Sequence, residues 1–204
     1  MTNDNYEGLG DFKVKTLEGV PFIEGVKKLH ERKYRLPSAK ELAFLNFRHG
    51  WDSDIALLNH PLSQDIVYTP QGNTFLIKNS LIINQITDPR VKNVPKGQFY
   101  EINPQELERI LQGAIPLTVG RHLTKQPKVD LVLYSLFENY AESYLRGVHR
   151  KGYDTFEVEL MSKEEVAKIG RPFAVNALLY GINSGPKLCG NVNLHERTRL
   201  VGIR

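Results

Sequence analysis

Cysteine is almost absent from this 204-residue sequence, since Cys189 is the only one. The chain therefore cannot form an internal disulfide, and a reducing compartment is expected. No apolar stretch approaches the roughly 20 residues that a membrane helix needs. The segment Met1–Asn5 is polar and acidic, so we expect no signal peptide. These absences predict a soluble, cytoplasmic protein without membrane insertion, which would reach a cell or virion surface only through a partner.

The chain has no strong excess of either charge, because its net charge is only +4 and its basic residues are scattered. The densest basic cluster contains no interleaved aromatic residue except Tyr34, whereas single-strand binders stack bases on such residues. We interpret the cluster as a solvated face and expect no specific nucleic-acid partner. It consists of Arg32, Lys33, Arg35, Lys40 and Arg48.

Metal and nucleophile motifs are missing as well. The six histidines show no His-x-x-x-His spacing, and a Cys-x-x-Cys pair is impossible with one cysteine. A cysteine nucleophile needs a nearby base, and no motif joins Cys189 to His195. The sequence therefore predicts neither a cofactor nor a catalytic residue.

A tight turn into a helix stands out near the N-terminus. Pro37 forces an extended residue before it, and Ser38 with Glu41 forms a capping box. We expect a helix over 38–48 that ends at Gly50. A short strand near Phe12–Leu17 and a helix that starts at Pro21 precede it, and residues 51–65 are interpreted as irregular.

The middle of the chain is typical of hairpins followed by a long helix. Three β-branched or aromatic runs within 66–86, the last of them Leu81–Ile83, predict antiparallel strands. A short strand at 99–102 and a helix from Asn103 to Leu111 should follow, then a loop over 113–127. Apolar residues at helical spacing predict the longest helix over about 128–146, with an exit at Gly147.

The last third begins with clear signals and then becomes irregular. Alternation over 153–160 predicts a strand with one wet face, and Ser162 with Glu165 caps a short helix that ends at Gly170. Residues 171–204 are rich in Gly, Pro and Asn. Within them we predict a regular strand only at 200–203.

Two motifs at opposite ends resemble the formylglycine-generating (sulfatase-modifying) branch of the C-type lectin fold. The stretch Lys33–Leu42 matches its basic-Tyr-Arg-Leu-Pro-Ser/Thr-x-x-Glu motif, with Leu42 where Trp is usual. The terminal Arg199–Arg204 is similar to its closing Arg-x-x-Gly-Phe-Arg strand, with Ile203 replacing the aromatic residue. The resemblance implies a single α+β domain over 1–204 with small antiparallel sheets and irregular loops.

Departures from the family limit the activity that this resemblance implies. The generating enzymes use a pair of copper-binding cysteines, whereas this chain has Cys189 alone. Calcium-dependent sugar binding would need a Glu-Pro-Asn or Gln-Pro-Asp segment, and Gln126-Pro127-Lys128 lacks the acid. Neither activity is therefore expected.

The variable proteins of diversity-generating retroelements are a better match. They resemble the same branch, often lack the cysteines, and vary the side chains of their closing segment. We therefore expect a non-enzymatic binding protein whose segment 171–204 contacts an unknown protein or surface ligand, with the oligomeric state open. The expected contact residues are Phe173, Tyr180, Ile182, Lys187, Leu188, Cys189, His195, Glu196, Arg197 and Thr198.

An enzyme is the alternative, either a diverged oxidase of the generating-enzyme type or a metal-dependent nuclease. A nuclease would place acids such as Asp130, Asp154, Glu157 and Glu159 around Mg²⁺. Such nucleases carry an acid-x-Lys motif, whereas the segment that begins at Glu157 has Glu159 where the lysine would stand, and Asp130 falls within the predicted helix. The alternation of Glu157 and Glu159 is better explained as the wet face of a strand.

Overall fold

The computed structural model describes residues 12–90, 99–125, 130–190 and 197–204, and the two ends of the described chain lie side by side. Strand β1 (Val14–Pro21) pairs antiparallel with β10 (Arg197–Ile203) in a two-stranded sheet. Arg35 also exchanges backbone hydrogen bonds of 3.0 and 2.8 Å with Ile203. The two motifs that carry the family resemblance therefore contact each other.

The remaining elements alternate between helices and short strands. The helices are α1 (Phe22–Glu31), α2 (Ala39–His49), α3 (Asp54–Leu57), α4 (Leu81–Thr87), α5 (Leu107–Leu111), α6 (Leu131–Phe137), α7 (Ala141–Arg150) and α8 (Lys163–Ile169). The strands are β2 (His60–Tyr68), β3 (Thr74–Ile77), β4 (Tyr100–Glu101), β5 (Ile115–Pro116), β6 (Gly120–Leu123), β7 (Thr155–Glu159), β8 (Phe173–Tyr180) and β9 (Lys187–Cys189).

These eight strands form one sheet in the order β5-β3-β2-β8-β9-β7-β6, with β4 pairing to β8 beside this path. All pairings are antiparallel except that of β7 with β9. Strands β5 and β6 occupy opposite ends of the order, although only residues 117–119 separate them in the chain. The sheet must therefore curl until its two edges approach each other.

The inner face of the curled sheet packs against α2, α6 and α7 to form the main core. Phe137 stacks on Tyr144 at 4.2 Å between ring centroids and meets Phe156 of β7 edge-on. Two smaller clusters lie outside it. One joins α1 to α4, and the other lies beneath α5 on the outer side of β2 and β8.

The local helix signals are confirmed. Ser38 accepts from the Glu41 N–H and the Glu41 carboxylate accepts from the Ser38 N–H, which completes the capping box of α2. Ser162 and Glu165 form the second box at α8, and Gly170 ends that helix in the left-handed conformation. The strand predicted over 153–160 is present as β7.

Several predictions were wrong in the middle of the chain. Residues 81–83 begin helix α4 instead of a third strand, because Ser80 caps them. The long helix is divided into α6 and α7 at Glu138, whose φ of 50° interrupts it. Gly147 lies inside α7 instead of ending it, and the Trp51 ring packs directly on its backbone. Residues 51–65 and 113–127, interpreted as irregular, contain α3, most of β2, β5 and β6.

The C-terminal third is also more regular than predicted. Within 171–204, β8 pairs with β2, β4 and β9 and lies in the middle of the sheet, and β9 joins β8 to β7. Residues 182–184 form a 3₁₀ turn between β8 and β9. The closing strand begins at Arg197, three residues earlier than expected.

Candidate functional site

Side chains from four neighbouring strands form an open surface on the outer side of the sheet. The register places Tyr180 opposite Lys187, Lys187 beside Glu157, and Glu157 opposite Arg121. This row therefore crosses β8, β9, β7 and β6 without a break. We call this surface the outer face, and its members are Arg121, Leu123, Thr155, Glu157, Glu159, Leu178, Tyr180 and Lys187.

Opposite charges hold the row together. Lys187 Nζ lies 2.5 Å from a Glu159 oxygen and 4.6 Å from the centroid of the Tyr180 ring. The Glu159 carboxylate raises the pKa of Lys187 through this hydrogen bond. Arg121 Nε lies 2.8 Å from Glu157. The result is a mixed surface of one aromatic ring and both signs of charge.

The same side of the sheet is covered elsewhere, which defines where the outer face begins. Towards β2 and the start of β8, the outward residues Val67, Ala174 and Ile77 are buried beneath α5. Asn176, the next outward residue of β8, is also fully buried. Leu178 and Tyr180, further along the strand, are partly exposed. The outer face is therefore the exposed row across β6, β7, β9 and the last part of β8, and it is separate from the partly exposed Phe75 and the exposed Pro116 at the β3–β5 end.

Inward side chains of the same strands belong to the main core. Leu188 of β9, Val158 of β7 and Leu179 of β8 alternate with the outer-face residues and are all buried. A strand presents successive side chains to opposite sides, so the core and the outer face share one backbone but few side-chain contacts.

The structure corrects the exposure expected for four of the predicted contact residues. Phe173 and Leu188 are fully buried because their strand positions point into the main core, and Ile182 is buried in the turn after β8. Cys189 points outward, but only 5% of it is exposed. In this structure, these four side chains therefore expose little or no surface to a ligand.

The other predicted residues divide into two groups. Tyr180 and Lys187 lie together on the outer face. His195 and Glu196 are outside the described residues, as are the side chains of Arg197 and Thr198, whose backbones pair with Pro21 and Val20. A contact role for these residues stays a prediction.

Six members of the outer face were not among the predicted contact residues: Arg121, Leu123, Thr155, Glu157, Glu159 and Leu178. The wet face predicted for the strand at 153–160 was the signal for Glu157 and Glu159. No comparable signal linked Arg121 to them, because it reaches the outer face only through the pairing of β6 with β7.

The backbone at the end of β9 is fixed directly before residue 191. The Tyr68 hydroxyl donates to the Gly190 carbonyl at 3.2 Å and accepts from the Met161 N–H at 3.1 Å. A Cβ at Gly190 would lie 2.4 Å from the Tyr68 oxygen, so glycine is required for this approach. This anchor holds the edge of the outer face to β2.

The acids considered for a nuclease have separate structural partners. Asp130 caps α6 and lies 2.5 Å from His122 Nδ1. Asp154 pairs with His149 and Lys125, whereas Glu157 and Glu159 belong to the outer face. In the described ranges, no three His, Cys, Asp or Glu side chains are grouped to hold a metal ion. None of the described helices is long and apolar enough to cross a membrane.

Comparison with known proteins identifies the fold. No family model and no curated protein sequence matches this chain. A solved structure from work on the accommodation of massive sequence variation in Nanoarchaeota by the C-type lectin fold superposes with a TM-score of 0.67. The match covers 94% of this chain and 98% of that one, at 13% sequence identity. The predicted α+β fold of the C-type lectin type is therefore confirmed.

Proposed function

We propose that this protein is a non-enzymatic binding protein of the variable type found in diversity-generating retroelements. Its recognition surface would comprise the outer face together with exposed positions of 171–204. The superposed structure supports this proposal, because it comes from work on massive sequence variation carried by the same fold. The proposal also places the chain in the generating-enzyme branch, which the contact between Arg35 and Ile203 supports.

The observation that carries the proposal is the separation of the two sides of β7, β8 and β9. Their inward residues are sealed in the main core, whereas outward residues such as Glu159 and Tyr180 reach solvent. Exposed substitutions usually change stability by about 0.5 kcal/mol or less. The outer face can therefore change its chemistry while the core keeps the fold.

The residues on the outer face suit binding to another protein. Tyr and Arg, here Tyr180 and Arg121, are enriched among the residues that dominate interface energies. The Arg121 side chain is 76% exposed, and Lys187 holds a cation over the Tyr180 ring. Glu157 and Glu159 add the opposite charge beside them, so the surface offers donors, acceptors and an aromatic contact to a protein ligand.

Tolerance to substitution tests the physical part of the proposal. Replacing Arg121, Glu157, Tyr180 and Lys187 together by serine should leave the far-UV spectrum and cooperative unfolding intact. Leu188→Ala, one position from Lys187 but inward, should cost about 2–5 kcal/mol of unfolding free energy. Loss of folding in the quadruple variant would reject the outer face as a changeable surface.

The DNA around the gene tests the retroelement assignment. We expect a near-copy of the sequence that encodes part of 171–204, differing only at adenines, close to a reverse transcriptase gene. Related genomes should then differ at codons for outward or loop residues and agree at Phe173 and Leu188. Substitutions spread evenly over inward and outward codons would contradict the proposal.

A further inference from the structure

A groove of about 430 Å³ opens between α1 and α4, away from the strands that form the outer face. Small-molecule sites have volumes of roughly 300–1,000 Å³. We call it the α1–α4 groove, and it is defined by Leu29, Tyr34, Arg35, Lys78, Ile83 and Asn84.

The floor of the α1–α4 groove is apolar. Val26, Leu29 and Leu36 are almost completely buried in the smaller core between the two helices, and Ile83 is partly exposed at its edge. The Tyr34 ring is also partly exposed at one end. An apolar ligand body placed here would remove further apolar surface from water, which is favourable.

Both walls are held in place from behind. On the α1 side, a Cβ at Gly202 would lie 2.6 Å from Leu29 and 3.0 Å from Tyr34, so β10 supports this wall at contact distance. The Arg204 guanidinium lies 4.8 Å from the Tyr34 ring. On the α4 side, buried Asp65 accepts from the Ile82 N–H at 3.0 Å. A preformed site spends little binding free energy on ordering its own side chains.

Two basic side chains, Arg35 and Lys78, line the rim of the α1–α4 groove. Arg35 binds both oxygens of Glu41, whereas Lys40 and Lys78 share the single carboxylate of Glu138. Lys78 is therefore only partly neutralised, because Glu138 also pairs with Lys40. The Lys78 side chain is 59% exposed, so its ammonium can turn towards a ligand in the groove.

We propose that the α1–α4 groove binds a small organic monoanion, a carboxylate carried on a flat apolar body. The body lies on Leu29 and Ile83 beside the Tyr34 ring, and the carboxylate lies near the Lys78 ammonium. The partly neutralised Lys78 ammonium matches one carboxylate. This site is independent of the recognition surface proposed above.

Titration of the full-length chain with 2-naphthoate and its neutral analogue 2-naphthamide tests the proposal. Followed by ¹H–¹⁵N NMR, both probes should shift the amides of Leu29, Tyr34 and Ile83, with the carboxylate binding more tightly. Lys78→Gln should weaken naphthoate binding by about two- to fivefold, the range of an exposed ion pair. Naphthamide binding should not change in that variant.

Two further variants separate groove binding from general charge attraction. Lys168→Gln removes an exposed lysine from α8 and should leave both affinities unchanged. Asn84 is an exposed residue of α4 that lines the groove, so Asn84→Trp should fill the groove. Both probes should then fail to bind, whereas the thermal midpoint should not change. If Asn84→Trp fails to fold, the proposal is tested by the amide shifts in the wild type and by the naphthoate affinity of Lys78→Gln.

Three results would overturn the proposal. The first is equal affinity for the acid and the amide, and the second is binding that survives a folded Asn84→Trp variant. The third is the absence of shifts at Leu29, Tyr34 and Ile83 at millimolar probe.

Discussion

The carboxylate of Asp65 accepts a 2.7 Å hydrogen bond from the Ser80 hydroxyl in the interior, where both side chains are buried. Its second oxygen accepts from the Ile82 N–H at 3.0 Å, and Asn176 donates to the first. Asp65 thereby joins β2 to the start of α4 and to β8. Burial nevertheless raises the pKa of Asp65 from 3.8 to about 6, against the effect of these donors.

Asp65→Asn should change how stability depends on pH. The folded carboxyl binds its proton more tightly than the unfolded one, so its contribution to stability falls as the pH rises from about 4 to 6. Asparagine does not titrate, so this decrease is absent from the variant. Between pH 4 and 6, its unfolding free energy should therefore increase more steeply with pH than that of the wild type. Urea unfolding between pH 4 and 7 measures the slope, with exposed Glu164→Gln as control. An unchanged slope would contradict the shift.

His60 should act in the opposite direction. Its Nε2 lies 3.0 Å from the Ile55 carbonyl, and burial lowers its pKa from 6.5 to about 4. Between pH 6.5 and 4, the His60 imidazole is protonated in the unfolded chain but remains neutral in the folded protein. The unfolding free energy therefore decreases as the pH falls through this range. In His60→Gln the Asp65 effect remains, and stability should decline as the pH rises from 4 to 6. Each contribution is on the order of 3 kcal/mol.

Gly147→Ala should destabilise the protein despite the better helix propensity of alanine. A Cβ at this position would lie 1.9 Å from two carbons of the Trp51 indole. Overpacking of this kind costs about 1–3 kcal/mol. The same substitution in a Trp51→Ala background should be neutral or stabilising, because the obstructing ring is gone. Equal losses in both backgrounds, measured by urea unfolding, would disprove the steric explanation.

Local signals predicted the elements that depend only on neighbouring residues. The capping boxes that begin at Ser38 and Ser162 formed as expected, because all partners lie within one turn. The apolar pattern of 128–146 correctly marked the side that packs on the core, but neither glycine nor proline signals the break at Glu138. The break occurs at the positive φ of Glu138, whose carboxylate binds Lys40 and Lys78, two residues that lie far from it in the sequence.

The elements that were predicted wrongly depend partly on contacts between residues far apart in the sequence. Residues 81–83 are apolar and two of them are β-branched, as in a strand, but Asp65 and Ser80 accept hydrogen bonds from the N–H groups that start a helix there. Strand β8 did have a local signal, since its apolar run lies between Pro172 and Gly181 as buried strands often do. The presence of many glycines nearby led us to interpret the whole segment as irregular.

Only part of the outer face was predictable, because its members come together through pairing of strands that are distant in the sequence. Tyr180 and Lys187 were identified by residue type, and the alternation of Glu157 and Glu159 indicated an exposed strand face. Lys187 meets these acids because β9 pairs in parallel with β7. This pairing joins segments about 30 residues apart in a register that residue types do not specify.

At position 138, glycine should give a more stable protein than alanine, which is the reverse of the usual order within helices. Its φ of 50° and ψ of −128° lie in a region that residues with a Cβ rarely occupy, at a cost of about 1–3 kcal/mol. Glu138→Gly and Glu138→Ala both remove the carboxylate that binds Lys40 and Lys78, but only glycine relieves the backbone. The glycine variant should therefore be more stable by about 1–3 kcal/mol in urea unfolding.

The matched pair at Glu142 on α7 shows whether the backbone at 138 is the cause. Glu142 also forms an ion pair, with Arg146, but lies within a regular helix. At this position the alanine variant should have the higher unfolding free energy, by about 1 kcal/mol, because alanine has the better helix propensity. If alanine is also the better residue at 138, the left-handed conformation is not strained, and the break between α6 and α7 must be held by side-chain packing alone.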